Sequence, residues 1–290
     1  MFINICIAGI ILRLEPQRPL HISPEFAPFL TADSAKPDIT VRVSWDWKEA
    51  DVLHSAPLGR DLLLIYYREG GYCYCEMDGG DRPPIAQTKY TPDFSLVSCV
   101  INTDEFDVPQ DHIRQILRML PLRQILLAKD VLFLHSSQVL HQNKGILFCG
   151  PSGTGKTTQA KLWRDHRNAQ IICNDRTLLR KEGNGWMTYG YPYDGSDPVG
   201  SNQRHSLGAI VVLRQGSENK IVRLKPVKAI TRLMGQAIID GWDPVSRGIA
   251  IENIALLLGD IPVYELTCTI SEEAVTVLEN TLLLEGIING

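Results

Sequence analysis

The chain has 290 residues, with 29 basic and 33 acidic side chains for a formal net charge of −4, and is 44% hydrophobic and 21% charged. That length makes one large or two modest domains and can bury about three quarters of the unfolded surface. The charge balance gives no electrostatic case for nucleic acid, and no run of about 18 apolar residues offers a transmembrane helix. The apolar start, Met1 to Leu12, lacks a basic flank and is β-branched, so it reads as buried strand rather than signal peptide. Seven cysteines without secreted-scaffold spacing favour reduced thiols in a cytoplasm.

In chain order, Ile3 to Leu14 reads as one strand. Asp38 to Trp45 alternates with period two, as a half-buried strand does. Asp61 to Arg68 is a further strand, turning at Gly70-Gly71 into Tyr72 to Met77, and Leu96 to Ile101 is another. After Pro109 the pattern becomes helical, with Ile113, Ile116, Leu117 and Leu120 on one face. Pro121 then stops that helix or opens the next, which continues to Lys129. A boundary near residue 105 therefore separates a β-rich N-terminal domain, 1–105, from a second domain, 106–290.

That second domain alternates strands and helices. Val131 to Leu134, Val139-Leu140, Gly145 to Cys149, Ile171 to Cys173, Leu207 to Leu213 and Val263 to Thr269 read as strands. Lys156 to His166 reads as a helix, as does the stretch from an N-cap at Ser271 to about Leu284, with Glu272 and Glu273 at its positive end.

Gly150-Pro151-Ser152-Gly153-Thr154-Gly155-Lys156-Thr157 fits G-x-x-x-x-G-K-[ST] at every fixed position, after an apolar strand and before a helix. The glycines let successive backbone N–H groups curl toward phosphate oxygens, and the helix start adds partial positive charge. Gly150, Ser152, Gly153, Thr154, Gly155, Lys156, Thr157 and Thr158 are therefore the expected nucleotide-binding residues. Lys156 would reach the transferring phosphate and the Thr157 hydroxyl would hold Mg²⁺. Asp175, after the next strand, is placed to meet the metal or an incoming hydroxyl; its other reading is a turn or capping residue. His135, at the end of an apolar strand upstream of the loop, is either structural or brought to the phosphates by a hairpin.

Together, Leu134-His135-Ser136-Ser137, the hairpin, Gly150 to Thr157 and Asn174-Asp175-Arg176-Thr177-Leu178-Leu179 resemble the catalytic domain of the HPr kinase/phosphorylase family, in its divergent kinase-like branch. Gly190-Tyr191-Pro192-Tyr193-Asp194-Gly195 resembles the G-x-P-x-x-G segment of that group, and the likeness covers about residues 130 to 280. It implies a mixed α+β domain of the HPr kinase and phosphoenolpyruvate carboxykinase type, with a P-loop on a largely antiparallel sheet. The short span from Val131 to Cys149 agrees, because a parallel crossover needs a dozen or more residues between its strands.

The resemblance implies an ATP- and Mg²⁺-dependent kinase acting on a serine hydroxyl. Lys156, Asp175 and His135 would carry the chemistry, and Thr157 and Asp175 would hold the metal. Asn174 stands where the family has the first of two adjacent acids, so Asp175 takes both roles or Asp194 assists, and the reverse, phosphorolytic reaction is not expected. The expected partner is a peptide or protein carrying the acceptor serine, with neither nucleic acid nor membrane involved; a homo-oligomer is compatible with the sequence. The alternatives are a kinase for a small molecule such as free serine, and a nucleotide-binding regulator without catalysis. Phosphoenolpyruvate carboxykinase activity is not expected, for want of a His/Lys/Asp set for Mn²⁺. Cys73 and Cys75 read as small buried residues rather than zinc ligands, and Arg204 as either a substrate clamp or a surface residue.

Overall fold

The computed structural model describes residues 1–61, 63–77, 83–102, 112–192 and 202–289. The chain forms two compact units. The first takes Met1–Lys129 with Asp240–Arg247; the second takes Asp130–Ile239 and the chain from Gly248 onward.

In the first unit the strands are β1 (Ile3–Ile7), β2 (Ile10–Pro16), β3 (Ile39–Ser44), β4 (Gly59–Arg60), β5 (Leu64–Glu69), β6 (Tyr72–Met77), β7 (Ala86–Tyr90) and β8 (Val97–Ile101). They form one sheet in the order β1-β2-β3-β8-β7-β6-β5-β4. The expected single strand from Ile3 to Leu14 is a hairpin, because Ala8 and Gly9 both take positive φ, 51° and 76°. That is the backbone of a two-residue turn whose twist matches the strands. Gly70 and Gly71 make the expected turn between β5 and β6 in the same way, with φ of 56° and 82°.

Helices α1 (Ile113–Arg118) and α2 (Leu122–Leu127) follow, with Pro121 at the N-cap of α2. They belong to this first unit, which therefore runs to Lys129, past the expected boundary near 105. The Thr88 hydroxyl donates to the Met119 carbonyl at 2.8 Å and the Tyr90 hydroxyl to Gln124 at 2.9 Å, tying both helices to β7. The unit also takes back a later stretch of chain. Asp240 is buried and accepts from Gln124 Nε2 at 2.8 Å. The Trp242 ring lies 4.9 Å from that of Tyr66, against Gly59, where a Cβ would come within 2.3 Å of the indole.

The second unit contains β9 (Val131–His141), β10 (Lys144–Cys149), α3 (Lys156–Arg167), β11 (Gln170–Cys173), β12 (Arg176–Glu182), β13 (Gly185–Tyr189), β14 (Arg204–Gln215), β15 (Lys220–Arg223) and α4 (Pro226–Met234). After these come α5 (Pro244–Asp260), whose first four residues belong to the first unit, β16 (Val263–Cys268) and α6 (Glu272–Leu284). The strands run in the order β10-β9-β12-β13-β14-β16-β15, and a further β10–β14 pairing joins the path back on itself. β14 pairs parallel with β10 and with β16; the other described pairings are antiparallel. The sheet is thus mixed and largely antiparallel, as expected.

β9 and β10 form the expected antiparallel hairpin, turning at Gln142 and Asn143 with φ of 48° and 62°. β9 is one strand of 11 residues rather than the two short ones expected, and it runs through the polar stretch His135 to Gln138. Three of those side chains are bonded within the sheet, though the buried Gln138 Oε1 has no partner among the described residues. The Ser136 hydroxyl donates to Thr177 at 2.9 Å, Ser137 to the Asn174 carbonyl at 2.9 Å, and Gln138 Nε2 to Thr188 at 2.6 Å.

One face of the sheet is covered by α3 and α6. Ile146 and Phe148 of β10, Val211 and Leu213 of β14 and Leu266 of β16 pack with Trp163 of α3 and Leu278 and Leu282 of α6, all fully or nearly fully buried. Each such aliphatic or aromatic side chain contributes about 1.5–3 kcal/mol by leaving water. Arg167, at the end of α3, clasps α6 through Glu279 at 2.6 Å, Thr276 at 2.9 Å and Glu272 at 3.1 Å. Ser271 is the α6 N-cap as expected, though its hydroxyl contacts Thr269 at 2.9 Å instead of a helix amide.

A left-handed residue costs a branched side chain about 1–2 kcal/mol. Asn143→Ile should therefore destabilise the fold by about that much and Asn143→Gly by far less, which chemical denaturation measures directly. Burial holds His141 and His205 below the ordinary histidine value. Their unfolded forms take up a proton first as pH falls, so their stabilising effect is complete above about pH 6.5 and shrinks as pH drops toward the folded values. Stability measured from pH 7 to 5 should fall less steeply in a His141→Gln, His205→Gln double variant than in the wild type.

Candidate phosphate-binding and catalytic site

The site starts where β10 ends. Cys149 closes the strand, residues 150–155 form the loop, and α3 begins at Lys156. Gly150, Gly153 and Gly155 all take positive φ, 152°, 79° and 100°. At Gly150 the need is also steric, since a Cβ would lie 2.7 Å from Thr154 Oγ1. The Thr154 hydroxyl donates to the Pro151 carbonyl at 2.8 Å, and Gln215 Nε2 donates to the Gly153 carbonyl at 2.9 Å. Ser152, Gly153 and Thr157 are exposed, while Thr154, Gly155 and Thr158 are half-buried. The first turn of a helix carries N–H groups with no partner inside the helix, so the loop and the start of α3 present donors to an anion.

Lys156 is only 8% exposed, and its ammonium donates to the carbonyls of Gly150 at 2.8 Å and Pro151 at 3.2 Å. Burial lowers its pKa, and the nearby Asp175 carboxylate partly opposes that shift.

Asp175 and His135 arrive from the neighbouring strands. β11 and β12 lie in line along the same edge of β9, with Cys173 opposite Gln138 and Arg176 opposite His135. Asn174 and Asp175 form the break between them. They are not a free end beyond a strand: the Ser136 N–H donates to the Asp175 carbonyl at 3.0 Å. Asp175 Oδ1 lies 3.1 Å from His135 Nδ1, and its Oδ2 lies 3.1 Å from Arg176 Nε. His135 is held below the ordinary histidine value by burial first and by the Lys156 charge second, with Asp175 opposing and Arg176 adding to the depression. A carboxylate only accepts, so at this 3.1 Å approach a neutral His135 ring with its proton on Nδ1 would turn that N–H to Asp175 and keep Nε2 as an acceptor. Thr157 and Asp175 offer the hard oxygen donors that magnesium takes, and the Asp175 side chain is 30% exposed.

The structure thus brings Lys156, Asp175 and His135 into one electrostatic group beside the loop. Asp194, with Tyr193 and Gly195, lies outside the described residues. Arg204 is exposed and paired with Glu182 at 2.9 Å, which matches its surface reading. Burial pushes the Cys149 thiol up to about 12, so it packs under the loop as an inert thiol. Arg176 and Gln215 join the site without having been singled out. The adjacency of Arg176 to Asp175 was the available signal.

Among solved structures, the HPr(Ser) kinase/phosphatase from Coxiella burnetii is similar at 13% identity and a TM-score of 0.34, over 53% of this chain and 98% of that one. A search of curated proteins finds no match. A family model described as the SynChlorMet cassette protein ScmC matches residues 97–283, well over half of the chain, and the chain belongs to that family.

Proposed function

We propose that this chain is an ATP- and Mg²⁺-dependent kinase that phosphorylates a serine hydroxyl of a peptide or protein in the cytoplasm. In this reading its second unit is a P-loop domain of the HPr kinase and phosphoenolpyruvate carboxykinase type. The observation that carries the reading is the meeting of Lys156, Asp175 and His135, with Asp175 3.1 Å from the His135 ring, beside a complete G-x-x-x-x-G-K-T loop. A phosphate-binding loop alone means nucleotide binding; a carboxylate–histidine pair beside it supplies a place for a hydroxyl proton.

In this reading the loop amides hold the triphosphate and Lys156 bears on its transferring end. The acceptor oxygen bonds to the γ-phosphorus while the bond to the β–γ bridging oxygen breaks and its electron pair leaves with ADP. The hydroxyl proton passes to His135 Nε2, with Asp175 holding the ring through Nδ1. When bound, Mg²⁺ neutralises developing phosphate charge; Thr157 and Asp175 are the residues that would hold it. The loose transition state asks for positioning more than for a strong base, so Asn174 in place of a second acid is compatible with transfer. The family is named for a cassette, so the acceptor is best sought first among small peptides encoded beside this gene.

Lys156→Ala should lower kcat by about 10²-fold or more in transfer of labelled γ-phosphate, and near-normal transfer would remove the reaction from this loop. Asp175→Asn should lower turnover on the order of 10²-fold while leaving ATP affinity within a few fold, because backbone amides carry much of that binding. Asn174→Ala should be milder. If Asp175→Asn turns over normally while loss of Asp194 abolishes turnover, the carboxylate has been misplaced. Because His135 must be neutral to accept a proton, kcat should be flat near pH 7 and above and fall as pH drops through its lowered value. His135→Gln should flatten that acid limb.

A further inference from the structure

Beside the loop lies a cavity of about 680 Å³, walled by Pro151 and Thr154, by Arg214 and Gln215 at the end of β14, and by Arg232 and Gln236 at the end of α4. Lys156, His135 and Asp175 do not line it; Gln236 links its wall to them, since the Gln236 carbonyl accepts the His135 backbone N–H at 2.8 Å. Its loop wall is tied in as well, through the bond from Gln215 to the Gly153 carbonyl.

The charge in this cavity is unbalanced. The Glu265 side chain reaches its wall from β16 and is 8% exposed. Lys228 holds it at 2.9 Å and Arg232 at 3.1 Å, two cations on one carboxylate. Burial alone would raise this carboxyl, but the two cations outweigh burial and hold it below its usual value. Arg214 adds a third cation and is exposed. Arg232 reaches Glu265 through Nη2 and itself lines the cavity, and a guanidinium has five N–H donors, more than that one contact uses.

A surplus of this kind selects an anion. In the kinase reading, the triphosphate faces the loop amides, Lys156 and the magnesium that Thr157 and Asp175 would hold, and its base and ribose carry no charge. The surplus positive charge is therefore directed at a second anionic group, and a planar guanidinium is shaped for a carboxylate.

We infer that this cavity receives the acceptor, and that Arg214 and Arg232 hold a carboxylate which the acceptor carries close to its hydroxyl. The inference rests on the kinase reading and deepens it. The carboxylate has two sources, an acidic residue flanking the serine of a peptide or the α-carboxylate of free serine.

The test uses the full chain with a non-hydrolysable ATP analogue. Short peptides with a central serine flanked by Glu, the same peptides with Gln, and free L-serine are titrated by calorimetry into the wild type, Arg214→Gln, Arg232→Gln and the double variant. Transfer from γ-labelled ATP is measured in parallel. The Glu peptides should bind the wild type about tenfold more tightly than the Gln peptides. The variants should bring the two within about twofold, with ATP affinity unchanged. Arginine-dependent binding of free serine in place of the peptides would assign the carboxylate to the amino acid itself. Equal binding of Glu and Gln peptides without arginine-dependent serine binding, or a preference that survives in the double variant, would overturn the inference. So would a large loss of ATP affinity in the variants, which would put the cavity under the nucleotide. Arginine-dependent binding without label transfer would keep the pocket and remove the kinase reading. Arg214 is exposed, so Arg214→Gln alone keeps the test open if the Arg232 variants unfold.

Discussion

The register of β9 is the constraint on which the site depends. On one edge, Ser136 pairs with Cys149, the last residue before the loop; on the other, its N–H binds the Asp175 carbonyl. Adjacent strands lie about 4.8 Å apart, so the start of the loop and the carboxylate sit about 10 Å apart across a single strand. His135 is one residue along that strand. A slip of one residue would turn His135 and Asp175 to opposite faces and put apolar β9 side chains where polar ones are satisfied. The side-chain bonds from Ser136 to Thr177 of β12, from Ser137 to the Asn174 carbonyl between β11 and β12, and from Gln138 to Thr188 of β13 hold the register against that slip. These polar residues therefore fix alignment where an all-apolar strand would rely on packing alone.

The same alignment sets the electrostatics. Lys156 and Arg176 bring two positive charges to a partly desolvated corner, and Asp175 brings one negative charge that contacts both His135 and Arg176. His135 stays neutral because burial and the cations outweigh the single carboxylate. A group poised in this way is useful to proton transfer, since it can accept at neutral pH without first losing a proton.

Much of this was legible in the sequence, because the physics is local. A glycine-rich loop needs its glycines at fixed positions whatever surrounds it, and the turn at Gln142-Asn143 and the apolar β10 run announce a hairpin at close range. What was not legible depends on distant partners. The polar run His135 to Gln138 broke the apolar pattern and divided β9 in two, because its hydroxyl and amide partners lie some 37 to 50 residues away. Ala8-Gly9 was absorbed into an apolar run because alanine rarely takes a positive φ. The return of Asp240 to Arg247 to the first unit had no sequence marker, since the anchors of Asp240 and Trp242 lie more than a hundred residues upstream. The charged wall of Arg214, Arg232 and Glu265 likewise joins three elements that no spacing rule connects.

Asn174 gains a physical sense in this setting. Its carbonyl receives the Ser137 hydroxyl, so the position serves the β9 register through its backbone, a task any side chain permits. A second carboxylate there would sit next to Asp175, and each would penalise the ionisation of the other. It would also cancel the positive excess of Lys156 and Arg176 beside the loop. With a neutral amide, Asp175 is free of that repulsion and the corner keeps its positive balance. The corner thus holds one carboxylate, in contact with both His135 and Arg176, and the charge beside the loop stays positive.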